Sequence, residues 1–125
     1  MQVQSVCSVL GDTGCCLFSF IYAIGKDPSL VLKDFNDLVN NNIIASDATV
    51  QNYTKLGAFY SYNCSVSYEK PDKYIKDVPY LGRWVRPGYN HFVVMKNGKV
   101  IWNPLDYSKC VAEGTLADIR VIKEI

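Results

Sequence analysis

The chain predicts an α+β fold, with helices in its N-terminal half packed on an antiparallel sheet built from its C-terminal half. Three observations point to this. An apolar run from Cys15 to Ile24 is bounded by Gly11 and Gly14 on one side and by Gly25 on the other, long enough for about two and a half helical turns. Val31, Phe35, Leu38 and Val39 then recur at the spacing of one helix face. Beyond Phe59 the apolar period shortens to two, and Asn97-Gly98 divides two strand-like runs, the residue pair preferred in a two-residue hairpin turn.

In chain order, the first helix is expected to start at Cys15 and Cys16, after the turn-forming stretch Gly11-Asp12-Thr13-Gly14. Asp27-Pro28 supplies a cap and a first-turn proline for a second helix over 28–40, which Asn40-Asn41-Asn42 ends. Asp47 is expected to cap a third helix over 48–56, with Val50, Tyr53 and Leu56 inward and Gly57 as its stop. Short strands follow around Phe59–Ser61 and Val66–Tyr68, then a turn at Pro71-Asp72. Tyr80–Arg86 reads as a strand closed by Pro87-Gly88. His91 opens the next strand, Lys99–Trp102 completes the hairpin, and residues 116–122 give a last strand before a frayed tail, Lys123-Glu124-Ile125.

At 125 residues the chain is read as one domain spanning 1–125. A formal charge of +1, with both signs interspersed, gives no reason to expect a nucleic-acid partner. Arg83, Trp84 and Arg86 fall in one strand and suit a sheet with one wet face. The N-terminus lacks a basic region followed by an apolar stretch, and no apolar run reaches 18 residues, so a cytoplasmic protein without membrane association is expected. Five cysteines at 7, 15, 16, 64 and 110 contain no CxxC pair, and with a single histidine they offer no metal-binding spacing. No cofactor is expected; the oligomeric state is open.

The chemistry concentrates at Cys15, Cys16 and His91. A cysteine beside Leu17 and Phe18 is ordinarily core packing, and a lone histidine is ordinarily structural. Here, however, the cysteines follow glycines at a helix start, where unpaired N–H groups and the helix dipole favour a thiolate. Both ends of the Phe92–Trp102 hairpin are polar, and its register brings His91 and Asn103 to the same end, the geometry that a base and its orienting partner need. Asp12-Thr13-Gly14 matches the triplet of dimeric aspartic proteases, but a glycine precedes it and a helix follows it.

The string Gly14-Cys15-Cys16-Leu17-Phe18-Ser19 resembles the nucleophile segment of papain-like cysteine peptidases, with Ser19 as the small residue one turn on. His91-Phe92-Val93-Val94 followed by Val100-Ile101-Trp102-Asn103-Pro104 resembles the bacteriocin-processing, peptidase C39-like branch, in which a histidine begins one strand and Asp-Pro ends the next. Asn103 departs from that branch and returns to the asparagine of papain. The resemblance implies a papain-like fold and a thiol-dependent hydrolase in a bacterial or phage setting. Its substrate would be a peptide or a peptidoglycan-like amide. Cys15 would be the nucleophile, with Cys16 as the alternative, His91 the base and Asn103 its orienter. Gln4 would receive the oxyanion, although it lies farther upstream of the cysteine than in papain, with Gln2 as the fallback. A non-catalytic interaction protein on the same fold is the rival expectation.

Overall fold

The computed structural model describes residues 12–105 and 110–125. Three helices come first: α1 (Asp12–Ala23), α2 (Leu30–Asn40) and α3 (Tyr53–Phe59). Strands β1 (Cys64–Glu69), β2 (Tyr80–Arg86), β3 (Tyr89–Lys96) and β4 (Lys99–Trp102) follow, then a short helix α4 (Cys110–Glu113) and strand β5 (Thr115–Glu124). The described strands form one antiparallel sheet in the order β1-β5-β2-β3-β4. None of the described helices is long and apolar enough to cross a membrane.

Helix α1 is apolar nearly all round because it is enclosed nearly all round: Cys15, Leu17, Phe18, Ser19, Phe20 and Ile21 are each at most 1% exposed. It is described from Asp12, so Cys15 sits within its first turn rather than beginning it, and Asp12-Thr13-Gly14 is helical. Gly25, at φ +82°, ends the segment as expected. Asp27 Oδ1 accepts the Ser29 N–H, and the residues after it wind as a tight i to i+3 turn before regular helix begins at Leu30. Val31 and Leu38 are buried, with Phe35 and Val39 packed beside them.

The third helix departs from expectation. Asp47 caps a turn instead, accepting the Thr49 N–H, and a bridge between Ile44 and Val50 closes this stretch as a tight loop. Asn52 is the true cap, its Oδ1 accepting from Lys55 N–H. Phe59 belongs to this helix, not to a strand. Gly57 is not a stop but an interior contact: a Cβ there would lie 2.6 Å from the Tyr62 carbonyl oxygen and 2.9 Å from Cys64 Sγ.

The sheet buries both faces. Leu81, Phe92, Val94 and Ile122 join the helices in the larger core, while Tyr80, Val93, Met95, Ile119 and Val121 form a second one with Tyr74, Ile75 and Leu116. The hairpin turns at Asn97 (φ 53°) and Gly98 (φ 81°), both left-handed as the two-residue turn requires. The tail is not frayed. Cys64 pairs with Glu124, Ser65 with Lys123, and the Ile125 N–H reaches the Asn63 carbonyl, because β1 needs β5 as its only described neighbour.

Replacing Gly57 by Ala gains roughly 1 kcal/mol in helix propensity but forces a methyl onto a backbone oxygen that cannot swing aside. We expect a net loss of about 1–3 kcal/mol in urea unfolding; an unchanged or raised midpoint would contradict this packing.

Candidate active site

One face of α1 carries the site. Residues 15, 19 and 22 lie at helical spacing along it, and each meets the β3–β4 hairpin. Cys15 interacts with the His91 ring. The Ser19 hydroxyl, fully buried, donates to the Phe92 carbonyl at 3.3 Å. The Tyr22 ring stacks on Trp102 with centroids 4.6 Å apart and planes 4° from parallel. Because Phe92 follows His91 and Trp102 precedes Asn103, the two lower contacts set the height at which thiol, imidazole and amide meet.

His91 is the third residue of β3 rather than its first, paired opposite Trp84 of β2, so its backbone is held from inside the ladder. Its Nε2 lies 2.6 Å from Asn103 Oδ1. The same Oδ1 accepts the Leu105 backbone N–H at 3.0 Å. A backbone N–H can only donate, so this second bond fixes which end of the amide faces inward and identifies the atom toward His91 as oxygen. Nε2 must therefore carry the proton. Nδ1 is left as the nitrogen that faces Cys15, with its lone pair available when the ring is neutral.

Nδ1 is buried, and the Cys15 thiol hydrogen-bonds to the ring and acts on it electrostatically. Burial by itself would depress the His91 pKa. The hydrogen bond and charge of Cys15, with a smaller contribution from Asn103, outweigh burial and raise it above 6.5. The two contacts thus favour the protonated ring.

The two cysteines point in different directions. Successive helical residues point about 100° apart, and while Cys15 turns to His91, Cys16 Sγ lies 3.1 Å from the Tyr53 hydroxyl. Gln4 and Gln2 lie outside the described residues. Cys64 is a free, buried thiol whose pKa burial pushes up, as an inert core cysteine requires. Arg83, noted for its basic character, is committed to Asp118, and Arg86 pairs with Glu113 at 2.7 Å. Two supports were not found from the sequence, the Ser19 bond and the Tyr22–Trp102 stack; their only signal was the 15, 19, 22 spacing.

An α+β protein that places a helix-borne cysteine against a strand-borne histidine and an asparagine has the arrangement of a cysteine-based catalytic site. The chain belongs to the family described as "Protein of unknown function, DUF261", whose model matches residues 12–124. No curated protein and no solved structure matches it.

The thiol's effect on the ring is measurable because the chain has one histidine. Cys15→Ala removes both raising contributions of the sulfur, so the His91 pKa followed by NMR should fall relative to wild type. Since the folded state holds this proton more tightly than the unfolded chain, its stabilisation is complete below about 6.5 and is lost as pH rises through the raised folded value. The corresponding decline in unfolding free energy should flatten in Cys15→Ala. A histidine pKa that is unchanged or higher in the variant would contradict the pairing.

Proposed function

We propose that this protein is a thiol-dependent hydrolase of the papain-like type, a single domain that cleaves a peptide or related amide bond, including isopeptide or peptidoglycan amides. The observation that carries the reading is the shared Asn103 oxygen, because it commits His91 to the tautomer in which Nδ1 serves the Cys15 sulfur. The order of elements, with the nucleophile's helix first and the sheet after, supports the papain-like assignment, as do the short motifs around Cys15 and His91. The free, buried thiol of Cys64 suits a reducing compartment such as the cytoplasm.

In this mechanism the Cys15 thiolate attacks the substrate carbonyl carbon, and the carbonyl electrons move onto oxygen. The backbone N–H of Cys15 and the side chain of Gln4 are the proposed donors to that oxyanion. As the carbon–nitrogen bond breaks, the His91 imidazolium gives its Nδ1 proton to the leaving amine, and a thioester remains on Cys15. The neutral imidazole then takes a proton from water, whose oxygen attacks the thioester. Expulsion of the thiolate releases the acid and restores the pair. Asn103 holds the ring plane through both halves without changing its own protonation.

Burial favours a second reading. Cys15 is 1% and His91 0% exposed, so substrate must displace covering groups to reach them. A protein that uses this pair only as packing, and the same fold as an interaction surface, would have the same enclosure.

Alkylation separates the two. Under the hydrolase reading iodoacetamide labels Cys15 far faster than Cys16 near neutral pH, and His91→Ala slows that labelling by roughly 10²-fold. Asn103→Ala gives a smaller loss in the same direction. Slow, equal labelling of both cysteines, unaffected by His91→Ala, would leave only the interaction reading.

A further inference from the structure

A cleft of about 190 Å³ opens beside the triad, lined in part by Thr13, Cys16, Thr49, Tyr53, Phe92 and Arg120. It is sized for one side chain rather than for a drug-sized molecule. Cys16 and Phe92, the chain neighbours of Cys15 and His91, line it, so the cleft is built on the same helix and strand that carry the pair.

Arg120 gives this cleft its character. Its side chain is 12% exposed and reaches the cleft between two rings, 4.0 Å from the Tyr68 centroid and 5.1 Å from that of Phe92. Its only described ion pair is with Asp118, through Nη1. That carboxylate is already engaged by Arg83, whose Nε and Nη2 both donate to its other oxygen. Burial works to raise the Asp118 pKa, but the two arginines outweigh it and hold the group below the ordinary range, so it carries one full negative charge. Two guanidinium groups against one carboxylate leave one positive charge in excess. The excess belongs on the Arg120 side, because Arg83 is satisfied twice by Asp118 and again by Asn90, whereas Arg120 Nε is buried with no hydrogen-bond partner among the described residues. A buried guanidinium donor without an acceptor is costly unless something supplies one. Among the described residues the rest of the lining supplies hydroxyls, the Cys16 thiol and an apolar, largely aromatic wall, and no acidic side chain.

We propose that the Arg120 cleft is the substrate subsite next to Cys15 and that it takes a carboxylate, so that the preferred substrate is an acidic amide. This deepens the hydrolase reading and rests on it for the word substrate. The carboxylate belongs either to an acidic side chain or to a free chain end; both present two oxygens to a guanidinium in the same way.

The test uses Cys15→Ala protein, which binds without turning over, titrated with three probes and followed by NMR. N-acetylglutamate α-amide carries only a side-chain carboxylate, N-acetylalanine only a terminal one, and N-acetylglutamine α-amide neither. At least one acid should bind about tenfold or more tightly than the neutral amide, shifting resonances of Thr49, Phe92 and Arg120, and the tighter acid identifies the source. Arg120→Met should remove the preference. Because Arg120 also supports Asp118, Thr49→Asp provides a second variant that leaves the arginine in place and puts an internal carboxylate into the cleft; it should compete and remove the preference as well. Failure of the acids to bind better than the amide, or a preference that survives Thr49→Asp, overturns the proposal. The readout needs no turnover, so an unreactive Cys15 and an indifferent cleft are separate failures.

Discussion

The seam between α1 and the β3–β4 hairpin is the constraint on which the rest of this structure hangs. Along it a thiol meets an imidazole, a buried hydroxyl bonds a strand carbonyl, and one aromatic ring lies flat on another. The lower two contacts are not reactive, but they remove the freedom of the helix to slide or roll on the sheet. A shift of one residue along α1 would turn Cys15 about 100° away from His91 and place Cys16 there instead. Selection of one cysteine over its neighbour is therefore a packing result before it is a chemical one.

Asn103 applies the same logic from the other side. Its oxygen accepts from a ring nitrogen and from the Leu105 backbone N–H, so the turn that follows β4 also fixes the proton position on His91. A histidine enclosed without such a partner would be depressed by desolvation and kept neutral in either tautomer. Enclosed with it, and with sulfur on the opposite nitrogen, the ring holds its proton more readily than in water. Burial and basicity, usually opposed, are reconciled by two directional contacts.

The neighbouring cleft follows from the sheet rather than from the helix. Insertion of β5 between β1 and β2 brings Arg120 opposite Tyr68 on one side and Leu81 on the other, and Asp118 comes opposite Arg83 of β2. The last strand thereby delivers a cation next to residues that the first helix and third strand contribute. Residues 123 and 124, read from the sequence as frayed, are structural here, since β5 pairs with β1 through Lys123 and Glu124.

Local physics in the sequence determined most of the elements: the glycine-bounded apolar helix, the amphipathic second helix, the strand before Pro87-Gly88 and the Asn97-Gly98 hairpin. Each depends on residues close in the chain, whose conformational preferences act without help from afar. The hairpin also carried His91 and Asn103 to one end by register alone. Where local signals competed, position could not be read. Asp47 and Asn52 are both good caps, and only the Ile44–Val50 bridge excludes the first. Gly57 resembles a helix stop until Tyr62 and Cys64 are seen pressed against it. The tautomer of His91 and the commitment of Arg83 to Asp118 belong to the tertiary structure alone. Each depends on where a side chain points relative to another element distant in sequence, and no preference of the local chain encodes that direction.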